Sequence, residues 1–219
     1  MMQKVVIFGV LDTAQLAHYY LKKDPSVQVV GFTVNERYLP ESRLFEGLPV
    51  VPFETLQDYF PSTGYKLFAP MTGRKMNRLR ESVYLQGKEK GYDFISYVSP
   101  HATVNDNVIG ENCFILEDNT LQPFTTIGNN VVLWSGNHIG HHGEIRDHVF
   151  FTSHVVLSGH CVVEPYAWFG VNATITNNCT IGEGTCVAMG ALISKDTQPW
   201  QLYVGAPARA VKSSQDLDF

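Results

Sequence analysis

The chain of 219 residues is short of the features that mark several classes of protein. It has only four cysteines, without framework spacing, which speaks against a disulfide scaffold and predicts a reducing, cytoplasmic setting. No apolar run approaches the roughly 20 residues that a membrane span needs. The start, Val5-Val6-Ile7-Phe8, lacks the charged opening and small-residue cleavage site of a signal peptide, so neither membrane partner nor secretory leader is expected. A net charge of −5 with no block of Lys and Arg argues against nucleic acid as a partner. No G-x-G-x-x-G follows the first strand-like run, which leaves a dinucleotide cofactor without support.

What the chain does have is a repeat. An aliphatic residue or Phe recurs every six positions at Ile109, Ile115, Leu121, Ile127, Leu133, Ile139, Ile145, Phe151, Leu157, Val163, Phe169, Ile175, Ile181, Val187 and Ile193. Six fits neither the 3.6 period of a helix nor the alternation of an ordinary strand. It fits a three-sided prism in which each short strand contributes one inward anchor and three strands make a coil. Four residues after each anchor the side chain is small or medium, as at Cys113, Val131, Cys161, Ala173 and Ala191, which suits the inside of a tight corner. Three of the four cysteines stand there and read as interior hydrophobes rather than ligands. Glycine directly after the anchor, at Gly110, Gly128, Gly140, Gly170 and Gly182, is expected to serve a turn open to positive φ.

The first half alternates strands and helices: strands at 4–9, 27–34, 66–71 and 95–98, helices at 13–23 and about 74–89. That order predicts a small parallel βαβ sheet with ligands beyond the carboxyl ends of its strands. The expected division is a βαβ (Rossmann-like) domain over 1–99, an all-β prism over 100–200 and a tail over 201–219.

Six of the eight histidines fall between 138 and 160. His142, His148, His154 and His160 each stand third after an anchor, and an 18-residue coil should stack His142 on His160. Histidine suits removal of a proton from a sugar amine or hydroxyl during acyl transfer. The polar, glycine-containing run Trp134–His142 favours His141 and His142 for that role. His148, His154 and His160 read as outward-facing filler or subunit contacts. A metal hydratase on the same prism is the competing explanation; hydratases of this fold place two ligands five apart, a spacing absent here, so no metal is expected.

The small βαβ domain, the hexapeptide repeat and the terminal Gly205-Ala206-Pro207-Ala208-Arg209 together resemble the bacterial sugar acyltransferases of the sialic-acid O-acetyltransferase type, including the N-acetyltransferases of bacillosamine and perosamine nucleotide sugars. The resemblance implies a left-handed parallel β-helix, a homotrimer, acetyl-CoA as co-substrate and a nucleotide-linked amino sugar as acceptor, acylated on nitrogen rather than oxygen. It implies a histidine base in an I-x-H-[DE] setting. Ile139-Gly140-His141-His142 supplies the histidine at His141 and puts His142, the second choice for base, where the acid would stand; Glu144 is the expected orienting acid. By the same resemblance Gly159, Gly170, Val171, Ala188 and Ala206 would hold the cofactor, with the tail near it. Gly9, Val10, Asn35, Thr72 and Gly73, at the strand ends, would hold the nucleotide sugar, although the family loop G-x-G-G-H-[GA] keeps only its first glycine in Gly9-Val10-Leu11-Asp12-Thr13-Ala14. The alternative function is a non-catalytic nucleotide-binding trimeric scaffold.

Overall fold

The computed structural model describes residues 2–218, which form two compact units: residues up to Thr72 with Ser82–Ile95, and Gly73–Glu81 with the chain from Ser96 onward.

The first unit holds β1 (Gln3–Phe8), α1 (Asp12–Leu21), β2 (Val27–Val34), β3 (Leu44–Phe45), β4 (Leu48–Pro52), α2 (Leu56–Tyr59), β5 (Lys66–Phe68) and the greater part of α3 (Arg78–Glu89). Its sheet runs β3-β4-β2-β1-β5 and is parallel except for the β3–β4 hairpin. Val5, Val6 and Ile7 are fully buried, as expected of a central parallel strand covered on both faces. α1 buries Ala14, Ala17 and Leu21, one stripe at helical spacing. The hairpin was not foreseen. Its two-residue loop, Glu46-Gly47, has φ of 49° and 77°, the two positive values that a tight turn between twisted strands requires.

Two expected elements are corrected. α3 begins at Arg78 rather than 74, because Lys75, Met76 and Asn77 all have left-handed φ (52°, 49°, 66°) and cannot continue a right-handed helix. The run 95–98 is not a strand of the parallel sheet: Tyr97–Val98 pairs with Phe114–Ile115 as the first rung of the prism, and only Phe94 bridges to Leu67 in the first unit.

The second unit is a left-handed parallel β-helix, and its coil is the three-sided one that the six-residue period predicts. Strands mostly two residues long stack into faces of four, eight and six, parallel but for the last strand of the eight, and between Phe114 and Ile193 each strand residue pairs with one 18 positions away, as Phe151 with Phe169. From Ile115 to Ile193 every anchor is at most 2% exposed, and the Phe151 and Phe169 rings stack at 4.2 Å. The fourth position after the anchor is buried as well, including Cys113, Cys161 and Cys179. Burial raises the Cys113 thiol to about 11, in keeping with an inert interior group.

The corners overturn one expectation. None of the glycines after an anchor has positive φ; the left-handed residue is the third, among them Asn112, Asn130, His142, His148, His154, His160, Asn172 and Asn178, with φ between 55° and 65°. Asn, Asp and His tolerate that region better than other side chains, so backbone geometry accounts in part for the histidine spacing. The glycines answer close approach between coils. A Cβ on Gly140 would lie 2.5 Å from the Gly159 nitrogen, and one on Gly170 2.5 Å from the Met189 nitrogen. Gly140→Ala is therefore expected to destabilise the prism by about 1–3 kcal/mol, read as a lowered midpoint in urea, even though its φ would accept alanine.

Thr197 and the tail together close the far end of the prism on all three faces. Thr197 donates to the Thr180 carbonyl (3.0 Å), Ala208 to that of Leu192 (2.8 Å), and Ala188 donates to the Tyr203 carbonyl (2.9 Å). Gln201–Val204 extends the eight-stranded face and Arg209–Ser213 returns antiparallel along it.

Candidate active site

The edge between the six- and four-stranded faces carries Gln122–Thr125, Gly140–Gly143, Ser158–Cys161 and Thr176–Cys179, one turn above another. Here His142 and His160 stack at 5.0 Å between centroids and 16° between planes, the expected one-coil relation. His141 stands perpendicular to both, at 5.1 Å from each. Its Nδ1 lies 2.9 Å from His142 Nδ1, so one ring donates and the other accepts. Its main-chain N–H donates to Gln122 Oε1 (3.1 Å), and its ring lies over Gly159, where a Cβ would come within 2.9 Å of Cε1. Phe124, itself 73% exposed, leans on His142 at 4.6 Å. All three histidines are exposed. Phe124 was missed in the sequence, although it stands 18 residues before His142 on the same edge.

Glu144 does not reach this cluster. It projects from the four-stranded face, where its Oε1 accepts from Arg146 Nε at 3.1 Å, and Arg146 also pairs with Glu164 (2.5 Å). The bond to Glu144 and the charge of Glu164 hold the Arg146 pKa above its usual value. The side chain bonded to the His141 ring is that of His142, not that of Glu144.

The remaining histidines take other places. His148 is buried at the edge between the four- and eight-stranded faces, where Asn130 Nδ2 donates to its Nδ1 (2.9 Å), Glu81 Oε1 lies 3.7 Å from Nε2, and Tyr166 stacks on it at 5.4 Å. Burial lowers its pKa, which leaves the ring neutral. The fully buried Arg80 binds the main-chain carbonyls of Asn130, His148 and Val149 beside it, so this edge is packed and braced rather than open. His154 lies over Gly136 on the third edge, and His138 sits between Thr120 and Val156 on the six-stranded face.

The expected cofactor residues divide between two edges. Gly159 belongs to the histidine edge. Gly170, Val171 and Ala188 lie on the edge between the eight- and six-stranded faces, in successive coils tied by Gly190 N–H to the Val171 carbonyl (2.9 Å). Ala206 follows in the exposed turn before the last strand, next to Gly205, whose carbonyl accepts from Leu192 (3.0 Å). Of the substrate residues, Gly9, Val10, Asn35 and Thr72 follow β1, β2 and β5 and so share the carboxyl end of the first unit's sheet. Gly9 has φ +120°, and the Asn35 amide donates to Glu54 (3.1 Å). Gly73 groups with the second unit, buried against Trp168, whose ring would meet a Cβ at 2.7 Å; that packing accounts for the glycine.

A three-faced coil of hexapeptides defines the left-handed β-helix class, and comparison with known proteins agrees. The family model described as bacterial transferase hexapeptide (six repeats) matches residues 108–141. An acyl-[acyl-carrier-protein]–UDP-N-acetylglucosamine O-acyltransferase of Pseudomonas aeruginosa is 30% identical over 110 residues, 47% of this chain and 43% of that relative. The chain thus spans less than half the length of the curated relatives that it matches. Among solved structures, a variant of perosamine N-acetyltransferase from Caulobacter crescentus, in complex with CoA and GDP-perosamine, superposes with a TM-score of 0.85 at 21% identity over 97% of this chain and 99% of that one. The acetyltransferase domain of PglB from Neisseria gonorrhoeae, in complex with acetyl coenzyme A, does so with a TM-score of 0.84 at 16% identity over 96% and 100%. The fold of these two structures is therefore shared over nearly the whole chain. Among the described residues no helix is long and apolar enough to cross a membrane.

Proposed function

We propose that this chain is an acetyl-CoA-dependent N-acetyltransferase for a nucleotide-linked amino sugar, working as a homotrimer with His141 as general base. The observation that carries the reading is the exposed His141 ring, braced by the Nδ1 contact to His142 and seated over Gly159. With its Nδ1–H donated to His142, His141 has a lone pair on Nε2. That nitrogen takes a proton from the sugar amine as the amine attacks the thioester carbonyl; the carbonyl electrons move to oxygen, then return as the CoA thiolate leaves and is protonated. The division of the cofactor residues supports assembly. One subunit presents the histidines on one edge and the Gly170–Val171–Ala188 column on another, so a trimer that sets one edge beside the other completes a channel for the pantetheine arm. The carboxyl end of the first unit's sheet, with Gly9, Val10, Asn35 and Thr72, is the place for the nucleotide.

The test is a CoA titration by calorimetry, followed by acetyl transfer to a panel of nucleotide amino sugars. CoA is expected to bind, and Val171→Glu, on the exposed edge, to weaken it by at least about tenfold through a charge set against the arm. No CoA binding and no acetylated acceptor would favour the scaffold reading instead.

A further inference from the structure

Three imidazoles meet at the histidine edge, whereas a proton transfer needs one. Each offers a ring nitrogen, and these three atoms lie within 4.8 Å of one another. We propose that His141, His142 and His160 form a binding site for a transition-metal cation of the Zn2+ class, and that its occupancy blocks the base. Only the second clause rests on the acyltransferase reading.

The donor set is chemically selective. It consists of neutral nitrogen ligands with no carboxylate among them, which suits Zn2+, Co2+, Ni2+ or Cu2+ and not Mg2+ or Ca2+. Three nitrogens at about 2.0–2.1 Å from a tetrahedral ion leave a fourth position for solvent. The 2.9 Å between the Nδ1 atoms of His141 and His142 has to open by a few tenths of an ångström for both to bind, which small ring rotations supply. The wider separations, up to 4.8 Å, have to close toward the roughly 3.3 Å that separates nitrogens on a tetrahedral ion, which rotation of the exposed rings also has to supply. His142 and His160 both stand at left-handed corners with φ of 55° and 57°, and His160 N–H donates to the His141 carbonyl at 2.9 Å, so the backbone fixes where each ring starts. Phe124 shields one side of His142, and the open side faces solvent, through which an ion would enter.

Histidines five apart are absent from the chain. Here the period of the coil gathers the donors instead: two ligands are adjacent and the third lies 18 residues on from His142, brought back by one full turn. An ion bound through His141 Nδ1 leaves the ring's one proton on Nε2, so the nitrogen assigned to accept the proton has no lone pair to offer.

The experiment uses the untagged full chain and Zn2+ competing with a chromogenic chelator, with the ligand-field absorption of Co2+ as a second reading. One equivalent per chain is expected. His160→Asn, which keeps a side chain suited to the left-handed corner, should raise the Kd at least about tenfold. His154→Asn, the same change on another edge, should leave it unaltered. Failure to bind an equivalent, or an affinity indifferent to His160→Asn, overturns the site. In the transfer assay Zn2+ should lower the rate, a chelator should restore it, and His160→Asn should need at least about tenfold more Zn2+ for the same inhibition. Zn2+ that binds without slowing transfer overturns the block and leaves the site standing; should the chain transfer no acetyl group, the binding measurements still decide the site.

Discussion

Replacing His141 with glutamine is expected to lower the turnover of acetyl transfer by about 10²–10⁴, the usual share of a positioned general base. CoA affinity and the oligomeric state should be preserved, because the ring is exposed and its removal opens no cavity. The partner in the 2.9 Å contact gives the prediction a second arm. His142→Ala should cost less than His141→Gln, since the base survives and only its orientation is lost. His142→Glu should recover much of that loss, because a carboxylate accepts the Nδ1–H at least as well as an imidazole does. Steady-state kcat measured across the three variants checks the order. Undiminished turnover in His141→Gln would remove this residue from the chemistry, and a His142→Glu no better than His142→Ala would deny the orienting role.

The largest stability effect should come from the interior of the prism. Phe151 is fully buried and stacked on Phe169, so Phe151→Ala removes a ring that the neighbouring coils cannot replace by shifting. A loss of about 3–5 kcal/mol is expected. Phe124→Ala, which truncates an exposed ring on the histidine edge, should stay within about 0.5 kcal/mol. Urea denaturation followed by circular dichroism makes the comparison. A loss below about 1 kcal/mol for Phe151→Ala would show that the six-residue anchors are not what holds the coils together.

The prism was legible because its anchors are the core: a side chain every sixth position faces inward without interruption from Ile109 to Ile193, and no other packing asks for that period. The stacking of His142 on His160 followed from the same arithmetic. The corners were harder. Glycine after the anchor suggested positive φ because that is its commonest use, yet here it makes room for the coil above, a contact between residues 18 or 19 apart that no local pattern announces. The left-handed third residue was hidden behind asparagine and histidine, which can adopt it. Glu144 looked near the base in sequence, but it follows the corner onto a strand, where alternate residues face in and out; with Ile145 inward, Glu144 turns to solvent and to Arg146. Segment 73–81 carries the same lesson. The helix expected from about 74 starts only at Arg78, while Arg74 pairs with Asp218 (3.2 Å) and Arg80 is enclosed among main-chain carbonyls.

A stack of identical rungs has no intrinsic reason to stop, and each unpaired rim is a template for another chain. The final residues answer that hazard within one molecule: the backbone groups of Thr180, Ala188 and Leu192 that would recruit a neighbour are already engaged. The outermost returning strand then presents Arg209 and Lys212, whose charges discourage docking of a further β-edge. The last coil thereby offers a further chain no bare row of backbone donors and acceptors at these three positions.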